Sequence, residues 1–476
     1  MDKDARRIDH MKPKVRAKIG LLPVGHHYYW EQFPRLKEMG LRMYDKLLKM
    51  LEPMADIVAP DLVDTPEKSQ RAGAMFAQEA VDMVLVFPFG YTPSIDMLPA
   101  VQMLDVPVRI LNAHEDRSYD YSTADTTDYL HHEAVCCIPE FAGALVNIGR
   151  KFKVLTGAFD DIRLQQELQA DFNGVAAARA FRKLNMGLMG HVYPGMTDMP
   201  IDEHRLLRTT GRMLARPEIE EIENAYHRVS EDQLAQMYSE FRTLYEVDRS
   251  VTNEQLRISA QIAVAYDEII KKYDIDAFGY FWWGEKELLT QLRSQSGLAV
   301  SRLTALGRPG VTEGDVKTAM AMKILDLLGG GGMFVEFFAM DLDENSFLMG
   351  HDGPSNISLA KGPPRLMNLD VHHGKSGHGL GIDFDIQEGP VTLLNLTQFD
   401  AGNTFKLIYS TGEIIDGSIL SIGNPNARVK IERPLHEFMD AWCQQGPSHH
   451  IALGIGNHAE ALEAFAQAMP FQIVRI

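Results

Sequence analysis

Four side chains in the last third of the chain have the types needed to hold a cation beside a substrate: Glu313, Glu336, His351 and His450. Glu336 is the lone charge in the apolar run GMFVEFFAM (332–340). A buried, unpaired carboxylate costs several kcal/mol, so Glu336 must be ion-paired, protonated or bound to a cation. In a strand, alternation puts Met333, Val335 and Phe337 on one face and Phe334, Glu336 and Phe338 on the other. A salt bridge or a half-exposed edge position fits that pattern as well as a functional role does. Glu313 opens an expected helix, His351 ends an expected strand and His450 opens another. Two carboxylates and two imidazoles form a mixed oxygen and nitrogen donor set, which suits Mn²⁺, Co²⁺ or Mg²⁺ better than thiolate-preferring metals. The intervals between the four match no short metal-binding motif, so spacing alone leaves cation binding open.

Other residues could contact a ligand. GHHYYW (25–30) follows an expected strand, at the carboxyl end where α/β sheets bind ligands. His26 and His27 there are candidates for lining a substrate, against the alternative of an aromatic cluster packed on the sheet. FWW (281–283) ends another strand; Trp282 is either core or an apolar floor for a small-molecule ligand. His449 adjoins His450 and is either turned away by strand alternation or a substrate neighbour. Lys317, four residues after Glu313, is expected to pair with it on a helix. HHGKSGHG (372–379) lacks the strand and helix context of a phosphate loop; a plain hairpin connection is one reading.

The elements that must position these groups can be read from periodicity. Residues 19–24, 55–63, 81–89, 106–111 and 146–154 read as strands, with helices over 32–51, 66–79 and 160–184. Strands alternating with helices mean parallel βαβ units. A second such set opens at 185–193. It continues through helices between 230 and 273, whose openings at Ser230 and Thr252 have cap-like residues. A strand at 277–283 and helices at 285–306 and 313–328 complete it. The glycine run 329–332 then breaks the pattern. Beyond it short β runs dominate, at 333–340, 347–350, 391–398, 404–410, 413–419, 428–431 and 451–455. Turn signals fall at 400–403 and 410–412, and one late helix at 459–468. The expected fold is α/β: two open parallel α/β domains of Rossmann or flavodoxin type, 1–183 and 184–331, followed by a C-terminal antiparallel β-barrel domain, 332–476.

Composition narrows the function classes. The chain has 476 residues, 45% hydrophobic and 24% charged, an ordinary globular mixture. Its formal charge of −18 argues against nucleic-acid phosphates and anionic membranes as partners, and leaves a neutral, polar small molecule. Three cysteines, Cys136, Cys137 and Cys443, form no CxxC pattern and fit a reducing compartment. No run reaches the ~20 apolar residues of a membrane span, and the first residues are charged with no apolar signal region. The expected location is cytoplasmic.

Several motifs together resemble the L-arabinose isomerase family and, more distantly, the L-fucose isomerases. GLAVSR (297–302) followed by TEGDVKTA (312–319) is similar to that family's GLAVQRL…EGDWKTA. MFVE (333–336) resembles its FMED strand, Gly350-His351 its GSHM turn, and SHH (448–450) its AHHT motif. The resemblance implies a divalent metal, commonly Mn²⁺, with Co²⁺ and Mg²⁺ as alternatives, held by Glu313, Glu336, His351 and His450. It implies aldose–ketose isomerisation of a free sugar through an enediol, with Glu313 and Glu336 sharing the acid and base roles. It also implies a homo-oligomer, typically a hexamer built from trimers. For HHGKSGHG (372–379) it implies the other reading, a mobile loop over the site. An epimerase of the same fold, or a non-catalytic sugar-binding relative, is the alternative.

The departures fall on substrate contacts. The family's GSQHLYG stretch stands here as VGHHYYW (24–30), so its glutamine is replaced by His26 or His27. A methionine that touches substrate is replaced by Tyr193. The family's intersubunit histidine aligns with residues 137–140, while His131 and His132 lie nearby but out of register. Val316 replaces a tryptophan, a packing change. Metal chemistry is therefore expected to be kept and arabinose specificity not, because buried polar contacts discriminate strongly among hydroxyls.

Overall fold

A computed structural model of the chain describes residues 15–369, 379–399, 404–417 and 419–476. They form two compact units. The smaller comprises Val15–Arg179 with Glu460–Met469; the larger comprises Ala180–Ala459 and Pro470–Ile476. The loop at 372–378 and the turn signal at 400–403 lie outside the described residues.

The smaller unit is an open parallel sheet of β1 (Lys18–Val24), β2 (Asp56–Val58), β3 (Met83–Pro88), β4 (Val108–His114) and β5 (Phe152–Ala158), in the order β2-β1-β3-β4-β5. That is the flavodoxin-type doubly wound order. Residues of β1 and β3 are buried almost throughout, as expected for strands covered on both faces. The strand expected at 146–154 is divided. Its first residues end the helix Ala134–Asn147, which closes at Gly149 (φ +71°), and the strand begins only at Phe152. An apolar run was shared between two elements because glycine supplies the left-handed residue that stops the helix.

In the larger unit, β6 (Met186–Gly190), β8 (Ala277–Phe281) and β9 (Gly310–Val311) form a second parallel sheet, β6-β8-β9. A small sheet joins β7 (Glu246–Val247) to β12 (Arg365–Leu369) and β13 (Gly379–Asp383). The remaining strands are β10 (Met333–Asp341), β11 (Ser346–Gly350), β14 (Gly389–Phe399), β15 (Thr404–Ile415), β16 (Asn426–Ile431), β17 (Ile451–Ile455) and β18 (Gln472–Arg475). The order β14-β17-β10-β11-β16-β15, with β15 pairing back onto β14, closes a six-stranded antiparallel barrel; β18 adds a parallel edge on β15. The expected fold class is the observed one.

Three local expectations change. The two strands expected at 404–410 and 413–419 are one, β15, running straight through Gly412. Gly412 is opposite both Val391 and Ile431, and a Cβ there would lie 2.6 Å from the Lys430 carbonyl. It is a close-approach glycine at the barrel seam and not a turn. A helix at Leu435–Gln444 was not anticipated; it buries Leu435, Phe438 and Trp442 on one face. The long helix expected at 285–306 is two, Glu287–Gln295 and Gly297–Ala305.

The helix Val316–Leu327 is buried on every side. Its charges are accounted for individually. Lys323 donates to the Gly307 carbonyl (2.6 Å) and pairs with Asp326 (3.1 Å), and Lys317 donates to the Asp198 carbonyl rather than pairing with Glu313. Paired or hydrogen-bonded charges are what a buried helix can tolerate.

Candidate functional site

Strand register brings the four candidate ligands together. Glu336 on β10 is opposite Gly350, the last residue of β11, so His351 emerges beside it. On the other side of β10, Val335 is opposite Ile451, so His450 enters β17 at the level of Glu336. Phe334 shares the face of Glu336 and packs against both imidazoles, with ring centroids 4.2 Å from His351 and 4.4 Å from His450. Met333 and Val335 turn into the apolar core with Phe337 packed against it, as the alternation predicts.

Glu313 arrives by a different route. It is not on a helix but in a left-handed turn between β9 and the helix Val316–Leu327, with φ +64°, followed by Gly314 at φ +76°. Such backbone in a non-glycine residue costs of the order of 1 kcal/mol and persists only where the surroundings enforce it. Here they do. A Cβ on Gly279 would lie 2.6 Å from the Gly314 backbone, and one on Gly314 would lie 2.6 Å from the His191 carbonyl. Tyr193 N–H donates to the Glu313 carbonyl at 2.9 Å. The turn is clamped between β8 and residues 191–193.

The imidazoles are oriented from behind. His450 is fully buried, and its Nδ1 lies 3.0 Å from Asp315 Oδ2. Asp315 can only accept, so the His450 proton sits on Nδ1 and the Nε2 lone pair faces the other way. His351 Nδ1 is likewise held, 2.7 Å from the Asp352 carbonyl. Both Nε2 atoms then look at Glu313: His450 Nε2 is 3.5 Å from Oε2, and His351 Nε2 is 4.0 Å from Oε1. His450 Nε2 is buried and makes no hydrogen bond. One donor atom each from Glu336, His351 and His450 lie within 4.8 Å of one another, as do those of Glu313, His449 and His450. Lone pairs facing carboxylate oxygens repel unless a cation or proton lies between them, so this donor set fits a divalent cation.

Electrostatics supports the geometry. Burial pushes the Glu336 carboxyl above its usual range, and the nearby Glu313 carboxylate pushes it the same way. Burial would also raise Asp315, but its hydrogen bonds to His450 and Thr318 and the Lys317 charge outweigh it and hold the carboxyl below its usual value. Asp315 also accepts from Thr318 N–H (3.2 Å) and Thr318 Oγ1 (2.7 Å), capping the helix that follows Glu313.

The predicted substrate contacts divide. His449 Nδ1 lies 2.6 Å from Asp198 Oδ2, and its N–H donates to the same oxygen. With Glu336, Asp198, Phe337, Trp442 and Cys443 it lines a cavity of about 530 Å³. Tyr193 packs its ring on Phe281, with centroids 4.8 Å apart. Trp282 is buried and donates from Nε1 to Tyr266 Oη (3.0 Å); its indole also borders a cavity of about 390 Å³ with His191 and Trp283. His26 and His27 belong to the smaller unit, just after β1. There His26 Nδ1 is 3.4 Å from the buried Asp96 and His27 Nδ1 is 2.9 Å from the Asp64 carbonyl. Sequence reasoning missed Asp315, Asp352 and Asp198. Asp315 had a signal, an Asp three residues before a Thr at a helix start; Asp198 had none.

Comparison with known proteins gives consistent matches. Residues 209–331 match the family model described as the L-arabinose isomerase central domain, and residues 331–472 the L-arabinose isomerase C-terminal domain. The L-arabinose isomerase of Halalkalibacterium halodurans is 23% identical over 464 residues, 95% of this chain and 92% of that protein. That of Thermotoga neapolitana is 23% identical over 469 residues, with the same shares of 95% and 92%. That of Thermotoga petrophila is 28% identical over 266 residues, 54% of this chain and 52% of that protein.

Proposed function

Since the chain belongs to the L-arabinose isomerase family, we propose that it interconverts an aldose and a ketose at the site built by Glu313, Glu336, His351 and His450. The observation that carries this reading is the orientation of the two imidazoles. Their Nδ1 atoms are tied back to Asp315 and the Asp352 carbonyl, leaving two Nε2 lone pairs beside two carboxylates. These four residues would hold a divalent cation, Mn²⁺ in the first instance and otherwise Co²⁺ or Mg²⁺. When bound, it supplies positive charge to the substrate oxygens as they become anionic.

The chain's own groups supply the rest. Moving a hydrogen between adjacent carbons requires a base to remove a proton from one carbon and an acid to return it to the next, by way of an enediol. Glu336 suits that exchange, because burial raises its proton affinity and the cavity of about 530 Å³ gives it access to a bound sugar. Glu313, locked in its left-handed turn, supplies the second carboxylate. His449, fixed by Asp198, offers a polar contact on the wall of that cavity, whereas Trp282 borders the one lined by His191 and Trp283. His26 and His27 replace the family's amide contact and are candidates to change which hydroxyls are accepted.

The substrate is a free sugar or derivative and need not be arabinose. The enzyme is a cytoplasmic homo-oligomer on this reading; among the described residues no helix is long and apolar enough to cross a membrane. The test is a screen of pentoses, hexoses and modified sugars for aldose–ketose conversion in the presence of Mn²⁺, with Glu336→Gln in parallel. General acid–base groups contribute about 10²–10⁴-fold, so the variant should lose at least that while keeping its melting temperature. Activity of Glu336→Gln equal to the wild type would remove Glu336 from the chemistry.

A further inference from the structure

The smaller unit contains a second group of metal-ligand side chains that the isomerase chemistry does not use. His114 ends β4 and Asp116 lies two residues on. His132 closes the helix Thr126–His132, whose capping box at Asp125 and Asp128 fixes its start. One donor atom from each of the three lies within 4.8 Å of the others. Asp116 Oδ2 is 3.5 Å from His114 Nδ1 and 3.7 Å from His132 Nε2. Ligand bonds of about 2.0–2.1 Å in a tetrahedron give edges of about 3.3–3.4 Å, so the two edges that meet at Asp116 are already close to that geometry.

The rings are already assembled. His132 stacks on His114 at 4.0 Å, and His131 meets His114 edge-on at 4.8 Å while its Nδ1 is 3.1 Å from the Phe89 carbonyl. Asp116 N–H donates to His114 Nδ1 at 3.0 Å, so the His114 proton sits on Nε2, which is buried and makes no hydrogen bond. The imidazole therefore turns its lone pair towards Asp116. Asp116 is exposed and His132 partly so, which leaves a solvent-side coordination position. The location is the carboxyl end of a parallel sheet, the edge where doubly wound folds bind ligands.

We infer that His114, Asp116 and His132 form a second divalent-cation site, of the imidazole and carboxylate class that takes Zn²⁺ or Co²⁺. On binding, the cation takes the His114 Nδ1 lone pair from the Asp116 amide. Asp116 contributes its carboxylate, and solvent or a ligand oxygen completes the shell. The site rests on residues of the smaller unit alone and does not depend on the isomerase assignment.

The test is zinc content per chain. The full-length wild type, His132→Ala and Asp116→Asn are loaded with Zn²⁺, desalted and analysed by atomic emission, each also in a His450→Ala background. Circular dichroism and melting temperature report that each variant folds; Asp116 and His132 are both accessible enough for substitution to be tolerated. Wild type should retain one zinc per chain more than either variant, and the same difference should persist with His450→Ala. With Co²⁺ in place of Zn²⁺, visible d–d absorption should be lower in His132→Ala than in wild type by one site's share. Equal zinc in wild type and both variants, or zinc lost from all of them on desalting, overturns the site. A failure of the Glu313 and Glu336 site to bind metal would instead lower every total by one and leave the difference intact.

Discussion

The two histidine and carboxylate clusters are built in opposite ways. In the larger unit, each imidazole has an acceptor behind Nδ1, Asp315 for His450 and the Asp352 carbonyl for His351, so both rings are set with Nε2 lone pairs forward. The carboxylate they face sits on backbone clamped at φ +64°. In the smaller unit, His114 is held by an amide donor at Nδ1, and its carboxylate neighbour Asp116 is solvent-exposed. The first cluster is held by hydrogen bonds on the far side of its imidazoles, whereas the second would have to give up the hydrogen bond at His114 Nδ1 to bind an ion. Orientation from behind is what separates a site ready for chemistry from one that can only hold an ion.

The largest effect that sharpens this contrast is expected at Asp315. Asp315→Asn replaces an obligate acceptor by a group that can also donate, so the His450 tautomer is no longer enforced. Loss of such a supporting carboxylate typically weakens metal affinity about 10–100-fold. Mn²⁺ titration should show that weakening, with activity recovering at high Mn²⁺. An unchanged affinity would break the comparison, because the two clusters would then differ in nothing that matters to a cation.

A smaller effect is expected from the clamp. Gly279→Ala places a Cβ 2.6 Å from the Gly314 backbone. Overpacking of this kind costs about 1–3 kcal/mol, so the melting temperature should fall, and isomerase activity should fall further than stability alone explains. Denaturant unfolding beside sugar turnover at a permissive temperature separates the two.

A separate effect concerns acid, and it belongs to the second cluster. His114 is held neutral in the folded protein down to about pH 3, while the unfolded chain takes up its proton near pH 6.5. Below about pH 6.5 the unfolded state therefore binds more protons. Stability from this group is full above that pH and falls as pH drops towards 3, by at most about 1.4 kcal/mol per unit. In metal-free protein, His114→Asn should flatten the stability profile between pH 6.5 and 5. An equal slope in variant and wild type would mean that His114 is freely protonated in the fold, and the cluster then lacks the dry character its geometry indicates.

Much of the architecture was legible because it is periodic. Alternation placed Phe334 and Glu336 on one face of β10 and Met333 and Val335 on the other, and the glycine run 329–332 marked where parallel sheets give way to the barrel. Residue chemistry singled out Glu336, since a lone glutamate in an apolar strand requires a partner, and the family resemblance supplied the other three candidates. Periodicity failed where an element's end depends on what approaches it. Gly412 looked like a turn and lies inside a strand because the barrel closes there. Residues 146–149 looked like a strand and end a helix.

What the sequence determined by itself was which side chains could bind a cation and which faces would carry them. Only the tertiary structure decided that they meet. Strand register sets His351 and His450 on either side of Glu336. The bond that orients His450 joins it to Asp315 across 135 residues. The left-handed turn at Glu313 is imposed by Gly279 and by residues 191–193, not by its own sequence. Local preferences act over a few residues, whereas a site is closed by contacts whose partners become neighbours only after the chain has folded.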